Sequence, residues 1–456
     1  MRTRSSLVQF VNSAALLGAA VVLALIYRSF RTMGDLSAHA VEFIGLTLFA
    51  GVIFVCAVYL AEHYPCGRWG LGIILGGALG FRLLLLPLWP SLSQDLYRYR
   101  WQGRAQQEGL NPYTVTPATP GLEHLRDETY QRMGTPHLHT VYPPLAEGIF
   151  AWNFRLAPSV VGFKSLFVLL DLASVVVLLL LLKIQKLPRT RVIAYAWNPL
   201  VITSFAASGH YDSAAIVTLL LALLFILGRR PVLSTAFLAL SVLTKFFAVL
   251  LLPALLKTAL ESKPRIPTIA ARFYRFWHVA KYGALFAFLV GFAYLPYAAG
   301  GGGTVFEGLD HFVHHYENND SLFRFIRYCG NSHMQAQLVA GVLLVLLMIV
   351  ALKRWEDPLK TALLMTVAVV LLSPNSFPWY FTWSIPFVCF YPNSAWLLMS
   401  VTATLGYAPL VEYGALGVYR DRNLFLWLEY GPVFALAAGQ FLYRGIKSGG
   451  WLKPAR

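Results

Sequence analysis

Apolar positions along this chain form long unbroken runs, neither alternating as in half-buried strands nor recurring on one face against charges. The pattern predicts an all-α chain of roughly fourteen spans. Three lie at about 8–27, 41–60 and 70–89, and a fourth at about 160–182. Two more cover about 191–208 and the stretch to 228, and 232–257 reads as a pair of short helices broken near Thr244 and Lys245. Further spans fall at about 277–297, 336–352 and 360–373, with short ones at 379–391 and 395–409 and a last one ending near 443. The apolar stretch 145–157 is too short for a span and reads as an interfacial or re-entrant helix. The run after Arg4 has no convincing cleavage site and reads as a first anchor.

Composition agrees with the pattern. The chain is 57% hydrophobic and 13% charged, with mean hydropathy +0.59. Its 37 basic and 21 acidic residues are too few to coat a large soluble protein, and continuous apolar runs argue against a membrane barrel. The net charge of +16 does not imply nucleic acid, because the basic residues gather in short turns: Lys183, Lys186, Arg189 and Arg191; Arg229 and Arg230; Lys263, Arg265, Arg272 and Arg275; Lys353 and Arg354. Placed inside, these turns put both termini in the cytoplasm. The expectation is a multi-pass protein of a bacterial inner membrane. The four cysteines form neither a disulfide framework nor a zinc spacing.

With that orientation the conspicuous polar motifs emerge on the outer face. The loop 90–142 carries Asp95, Arg98, Tyr99, Arg104, Asn111 and Tyr113, then Tyr142–Pro144. GHYDS brings His210 and Asp212, and Lys245 interrupts an apolar run. The loop 298–335 holds a glycine run and HHYENND with His315, and SPNSFPWY holds Asn375 and Trp379. One integral-membrane domain over 1–456 is expected, both outer loops contributing to one site.

Asp95 is the leading catalytic candidate: a carboxylate among aromatics can accept a proton from an attacking hydroxyl, although a carboxylate just past a span also serves for interfacial solvation. Arg98 and Arg104 either neutralise a phosphate or pair with Asp95 and headgroups. His210 and Asp212 orient a sugar or a water, or cap the next helix. Lys245 either snorkels to the interface or captures a lipid phosphate. HFVHHYE is not HExxH, so no metal site is expected, and Trp379, Tyr380 and Trp383 read as an interfacial aromatic belt. Neither a Walker A motif nor a dinucleotide fingerprint occurs.

DLYRYRWQGR and GLNPY at 95–113, YPP at 142–144, WNP at 197–199, GHYDS, LTKF at 243–246 and SPNSFPWYFTW at 373–383 resemble, in order, membrane glycosyltransferases of the GT-C superfamily. They are most similar to the bacterial branch of polyprenol-phosphate-mannose-dependent α-mannosyltransferases. The resemblance implies that Asp95 is the catalytic acidic residue. It also implies that an outer cation, Lys245 first and Arg98 or Arg104 second, grips the donor phosphate. Gln94 stands where some GT-C enzymes carry a second acid, which argues against a paired-acid metal site there. The implied reaction is inverting transfer of a hexose, mannose foremost, from a polyprenyl phosphate to a glycan or glycolipid acceptor on the periplasmic or exterior face. No cofactor and a monomer are expected. The competing classes are a transporter or flippase for lipid-linked sugars, which should show charges inside its spans and internal repeats, and another lipid-dependent transferase.

Overall fold

A computed structural model describes residues 2–261, 269–298, 305–417 and 420–447. The glycine run at 300–303 and the basic residues Lys263, Arg265, Lys453 and Arg456 lie outside the described residues. The described chain is helical, its one β-feature an isolated bridge between Asn318 and Asn375. Helices α1 (Arg2–Met33), α2 (Ala40–His63) and α3 (Gly67–Leu85) lead into α4 (Asp95–Gln107), α5 (Pro144–Leu156) and α6 (Val160–Ile184). After a broken segment come α7 (Asp212–Leu227), α8 (Pro231–Thr244), α9 (Leu252–Glu261), α10 (Ile269–Ala298), α11 (Glu307–His315), α12 (His333–Arg354), α13 (Pro358–Leu372), α14 (Ser394–Thr402) and α15 (Asn423–Lys447).

Among the described residues eight helices are long and apolar enough to cross a membrane, and four shorter apolar helices accompany them. These establish a membrane-embedded, many-span protein. The predicted span at 191–208 is instead a succession of short turns and helices, Arg189–Val192, Ile193–Ala196, Pro199–Ile202 and Thr203–Ala207. The physical cause is Asn198–Pro199: the Asn198 side chain accepts from the Leu200 N–H and starts a new helix at the proline. Almost all of 192–217 is buried, so irregular backbone here is shielded from lipid by protein. The segment 379–391 is likewise split, into Pro378–Trp383 and Ile385–Val388.

Charges do lie inside the spans. Arg82 of α3 is fully buried and paired with Asp171 of α6, which also accepts from the Tyr195 hydroxyl at 2.7 Å. Arg82 Nη1 donates to the carbonyls of Ala78 (2.9 Å) and Ala196 (2.8 Å). Lys164 donates to the carbonyls of Leu85 (3.1 Å) and Leu88, meeting acceptors that the end of α3 leaves free. These side chains bind helix to helix inside the bundle, which is how a charge is tolerated there.

The helices sort the chain onto two faces. Ser13 bonds to the Cys66 carbonyl (2.9 Å), Arg191 meets Glu62 (3.4 Å), and Lys257 donates to the carbonyls of Leu352 and Trp355. These mark the basic face. At the other end of the spans the Leu36 N–H donates to Ser91 (2.8 Å), and there α4 and α5 lie. They cross closely at Gly103, where a β-carbon would come within 2.4 Å of the Phe150 carbonyl oxygen.

Candidate active site

Asp95 opens α4 and lies in its first turn, where the helix dipole favours a negative charge. Its nearest polar neighbours are the Tyr99 hydroxyl at 3.4 Å and His210 Nδ1 at 3.6 Å, both long for a hydrogen bond. The side chain keeps 36% of its surface accessible, so it lines a recess open to a ligand. Tyr99 builds one wall: it stacks on Phe150 (4.6 Å) and meets Tyr142 and Tyr211 edge-on, each at 5.2 Å. Glu147 steadies that wall. It accepts from Thr140 Oγ1 (2.5 Å) and Gln106 Nε2 (2.9 Å), while Thr140 Oγ1 accepts the Tyr142 N–H. Burial pushes the Glu147 carboxyl up to about 8.

GHYDS turns sharply because Gly209 adopts φ +72°, and a β-carbon there would strike Leu96 at 2.2 Å. The turn buries His210 against Trp379, ring on ring at 3.9 Å. Trp379 is therefore a wall of the recess and not part of an interfacial belt. Neither ring nitrogen of His210 nor Oδ2 of Asp212 has a hydrogen-bond partner in the protein, an exception to the rule that buried polar atoms are paired.

Lys245 is neither solitary nor snorkelling. Helix α8 ends at Thr244, Lys245 turns extended, and its ammonium lies 3.0 Å from Asp212 Oδ1. The rings of Tyr211 and Tyr380 flank it at 4.7 Å each and Trp383 at 5.6 Å. Trp383 Nε1 donates to the same Asp212 oxygen at 2.7 Å. The cation retains 15% exposure.

The arginines of α4 are engaged elsewhere. Arg98 donates to the carbonyls of Leu138 (3.0 Å), Gly134 (3.1 Å) and Thr135. Arg104 reaches the carbonyls of His124 and Leu125 and lies 3.7 Å from Asp127, and Arg100 pairs with Asp127. They knit the loop after α4. Asn111 and Tyr113 are structural in the same way: Asn111 donates to the Tyr297 carbonyl (2.8 Å), and the Tyr113 hydroxyl donates to the Tyr142 carbonyl (2.7 Å).

HHYENND stays apart from Asp95. His315 is exposed, stacked on His311 at 4.4 Å. Asn318 pairs with Asn375, whose amide donates to the Tyr316 carbonyl (2.8 Å). Asn319 donates to the Ser376 carbonyl (2.9 Å) and Glu429 (3.0 Å). This knot fixes the segment that presents Trp379. Among the described residues no three His, Cys, Asp or Glu side chains come together as metal ligands.

Two fields act on the ionisable groups of the recess. Burial, with the nearby Asp212 charge, raises the Asp95 carboxyl above its ordinary 3.8 against the opposing pull of Lys245 and Arg98. Burial, then Lys245, hold His210 well below its ordinary 6.5. His210 is thus neutral across the physiological range. Sequence reasoning missed Tyr211, Tyr380 and Trp383 as a cage and Glu147 as a support. The first three stand inside the quoted motifs, while nothing local marks Glu147.

The family model for the N-terminal domain of alpha-(1->6)-mannopyranosyltransferases (MptA/MptB) matches residues 6–261, and the model for the MptB C-terminal domain matches residues 325–413. The first match covers more than half of the chain. The chain belongs to the MptA/MptB family of mannosyltransferases, within the GT-C superfamily. No curated protein sequence matches it. The N-terminal match contains Asp95, His210, Asp212 and Lys245, and the C-terminal match contains Trp379, Tyr380 and Trp383, so the recess is assembled from both. The protein is a membrane-embedded mannosyltransferase dependent on a lipid-phosphate sugar.

Proposed function

We propose that the recess transfers mannose with inversion from a β-linked polyprenyl-phosphate mannose to a hydroxyl of a glycan or glycolipid, forming an α-(1→6) bond at the exterior face. The observation that carries this reading is the approach of an open carboxylate, Asp95, and a caged cation, Lys245, to the same His210–Asp212 turn. The acceptor hydroxyl attacks the anomeric carbon, its proton passes to Asp95, and the carbon–oxygen bond to phosphate breaks. Polyprenyl phosphate leaves with the bonding electron pair, its charge met by Lys245. Neutral His210 and the free oxygen of Asp212 hydrogen-bond the sugar hydroxyls. Trp379 and Tyr99 set its plane, and Arg98, Arg104, Asn111, Tyr113 and Asn375 hold the loops around it. Alignment and a fixed field at the leaving phosphate supply the rate. Fourteen crossings remain the working topology, the short helices of the centre serving as half-spans, and the unit acts as a monomer. Transfer assayed in detergent with defined lipid-phosphate sugars and a mannose-terminated acceptor tests the reading. Turnover confined to another donor class, or a product with β-configuration, overturns it.

The base role fixes a pH dependence. Asp95 works deprotonated, so kcat/KM rises with pH through its raised pKa. The acid limb is expected above the ordinary carboxylate value. In Lys245→Met the limb moves further up, because a charge that lowers the Asp95 pKa is gone. A limb at the ordinary value, unmoved by K245M, would exclude Asp95 as the base.

Orientation is checked by thiol labelling. Cys329 is exposed near the site end, whereas Cys66, on the basic face, is buried and a poor reporter. With the other cysteines replaced, an impermeant maleimide added to intact spheroplasts is expected to label Cys329. A His63→Cys variant, whose position is exposed on the basic face, should react only after permeabilisation. The opposite pattern would put the recess in the cytoplasm.

A further inference from the structure

Beside the recess, the outer half of α10 forms a groove with Val305 and Phe306. Phe286, Val290, Gly291 and Tyr294 line one side, Val305 and Phe306 the other, around a cavity of about 510 Å³. That is within the range of ligand pockets. Tyr294 and Phe306 close its outer end, ring centroids 5.4 Å apart. The adjoining face of α10 carries Phe288, Phe292 and Leu295, each about 60% exposed or more, so the groove opens sideways to lipid.

Both walls lead to the catalytic recess. One turn beyond Tyr294, Tyr297 meets the Tyr113 ring at 5.1 Å and donates to Gln106 Oε1 at 3.2 Å. Tyr113 in turn bonds to the carbonyl of Tyr142, whose ring meets Tyr211 at 5.3 Å. On the other side, Gly308 packs against the Thr140 carbonyl so closely that a β-carbon would come within 2.3 Å. Helix α10 also packs along α8, the helix that ends just before Lys245. From Tyr297 to Phe286 the groove runs roughly 16 Å toward the membrane interior, at 1.5 Å per helical residue.

We infer that this groove seats the first isoprene units of the donor lipid. The inference rests on the proposed function, since it takes the donor to be a polyprenyl phosphate whose head lies at Lys245. A tail in a bilayer is already in apolar surroundings, so seating it gains little hydrophobic free energy. The groove supplies direction: it confines the chain to one path and delivers the phosphate to Lys245.

Gly291→Leu tests this on the full-length protein in nanodiscs. A β-carbon at Gly291 meets nothing within 4 Å, so the added side chain enters the groove without disturbing the helix. The expected result is a KM about tenfold higher for a long-chain polyprenyl-phosphate mannose, equivalent to about 1.4 kcal/mol. The KM for a donor with a single isoprene unit should be unchanged. Gly283→Leu, on the same helix but outside the groove and equally open, should leave both values unchanged. An equal effect on the two donors, or none, overturns the groove while leaving the transferase reading intact. If the wild type turns over neither donor, the transferase reading itself fails. Independently, a polyprenyl phosphate with a photoreactive group in its first isoprene units should label the peptide containing residues 286–298. Labelling confined to the shallow groove of Ala20, Gly77 and Gly80 between α1 and α3, or bulk phospholipid alone at α10, would also overturn it.

Discussion

Asp95→Asn is expected to lower turnover by about 10²–10⁴-fold, the usual worth of a general base, in a protein that remains folded and membrane-inserted. Two features separate this from a structural loss. Asp95 makes no ion pair with Arg98, whose guanidinium is spent on the carbonyls of 134–138. Its one hydroxyl contact, Tyr99 at 3.4 Å, can be kept by the asparagine oxygen. Stability should therefore change by no more than about 0.5 kcal/mol, as for substitutions that break no packed contact. Donor binding, measured on the same preparation, should persist because Lys245 is untouched. A monodisperse D95N protein with near-normal turnover would remove Asp95 as the base and turn attention to Asp212. An unfolded D95N protein would instead mean that Asp95 holds α4 in place.

Lys245→Met is the second large effect, and it acts on two levels. A charge-assisted hydrogen bond to the donor phosphate is worth about 1.5–3 kcal/mol, so donor KM should rise about 10- to 100-fold with acceptor KM little changed. The substitution also leaves Asp212 buried with only the Trp383 N–H as partner. An orphaned buried charge typically costs about 3–5 kcal/mol, so K245M should lose thermal stability as well. The double variant K245M/D212N separates the two. Removing both charges should restore Tm toward the wild-type value while donor KM stays high. Recovery of donor affinity along with Tm would show that Lys245 serves folding alone and that the phosphate is held elsewhere.

Which features were legible follows from how local they are. The span at 160–182 and the basic turn after it were readable, because a helix in lipid must satisfy its own backbone and Lys and Arg at span ends set its direction. The same logic failed at 191–208, where the apolar run is also long enough to cross but is wrapped by protein, so that Asn198–Pro199 can break it. Asp95 was readable as an acid at a span mouth among aromatics. Arg98 and Arg104 were not readable as loop ties, since a guanidinium looks the same in sequence whether it faces a phosphate or a carbonyl.

By itself the sequence determined the helical class, the segregation of basic turns from polar motifs, and the residue types gathered at one end. These depend on burial and charge along a short stretch of chain. Tertiary structure alone decided the partners. Trp383 bonds to a carboxylate 171 positions away, Trp379 covers His210, and Lys245 meets Asp212 across two helices. Apolar burial specifies which residues leave lipid or water, but it is non-directional. Directional bonds between distant elements form only once the helices have packed, and those bonds turn a set of outer polar residues into a recess with a caged cation beside an open carboxylate.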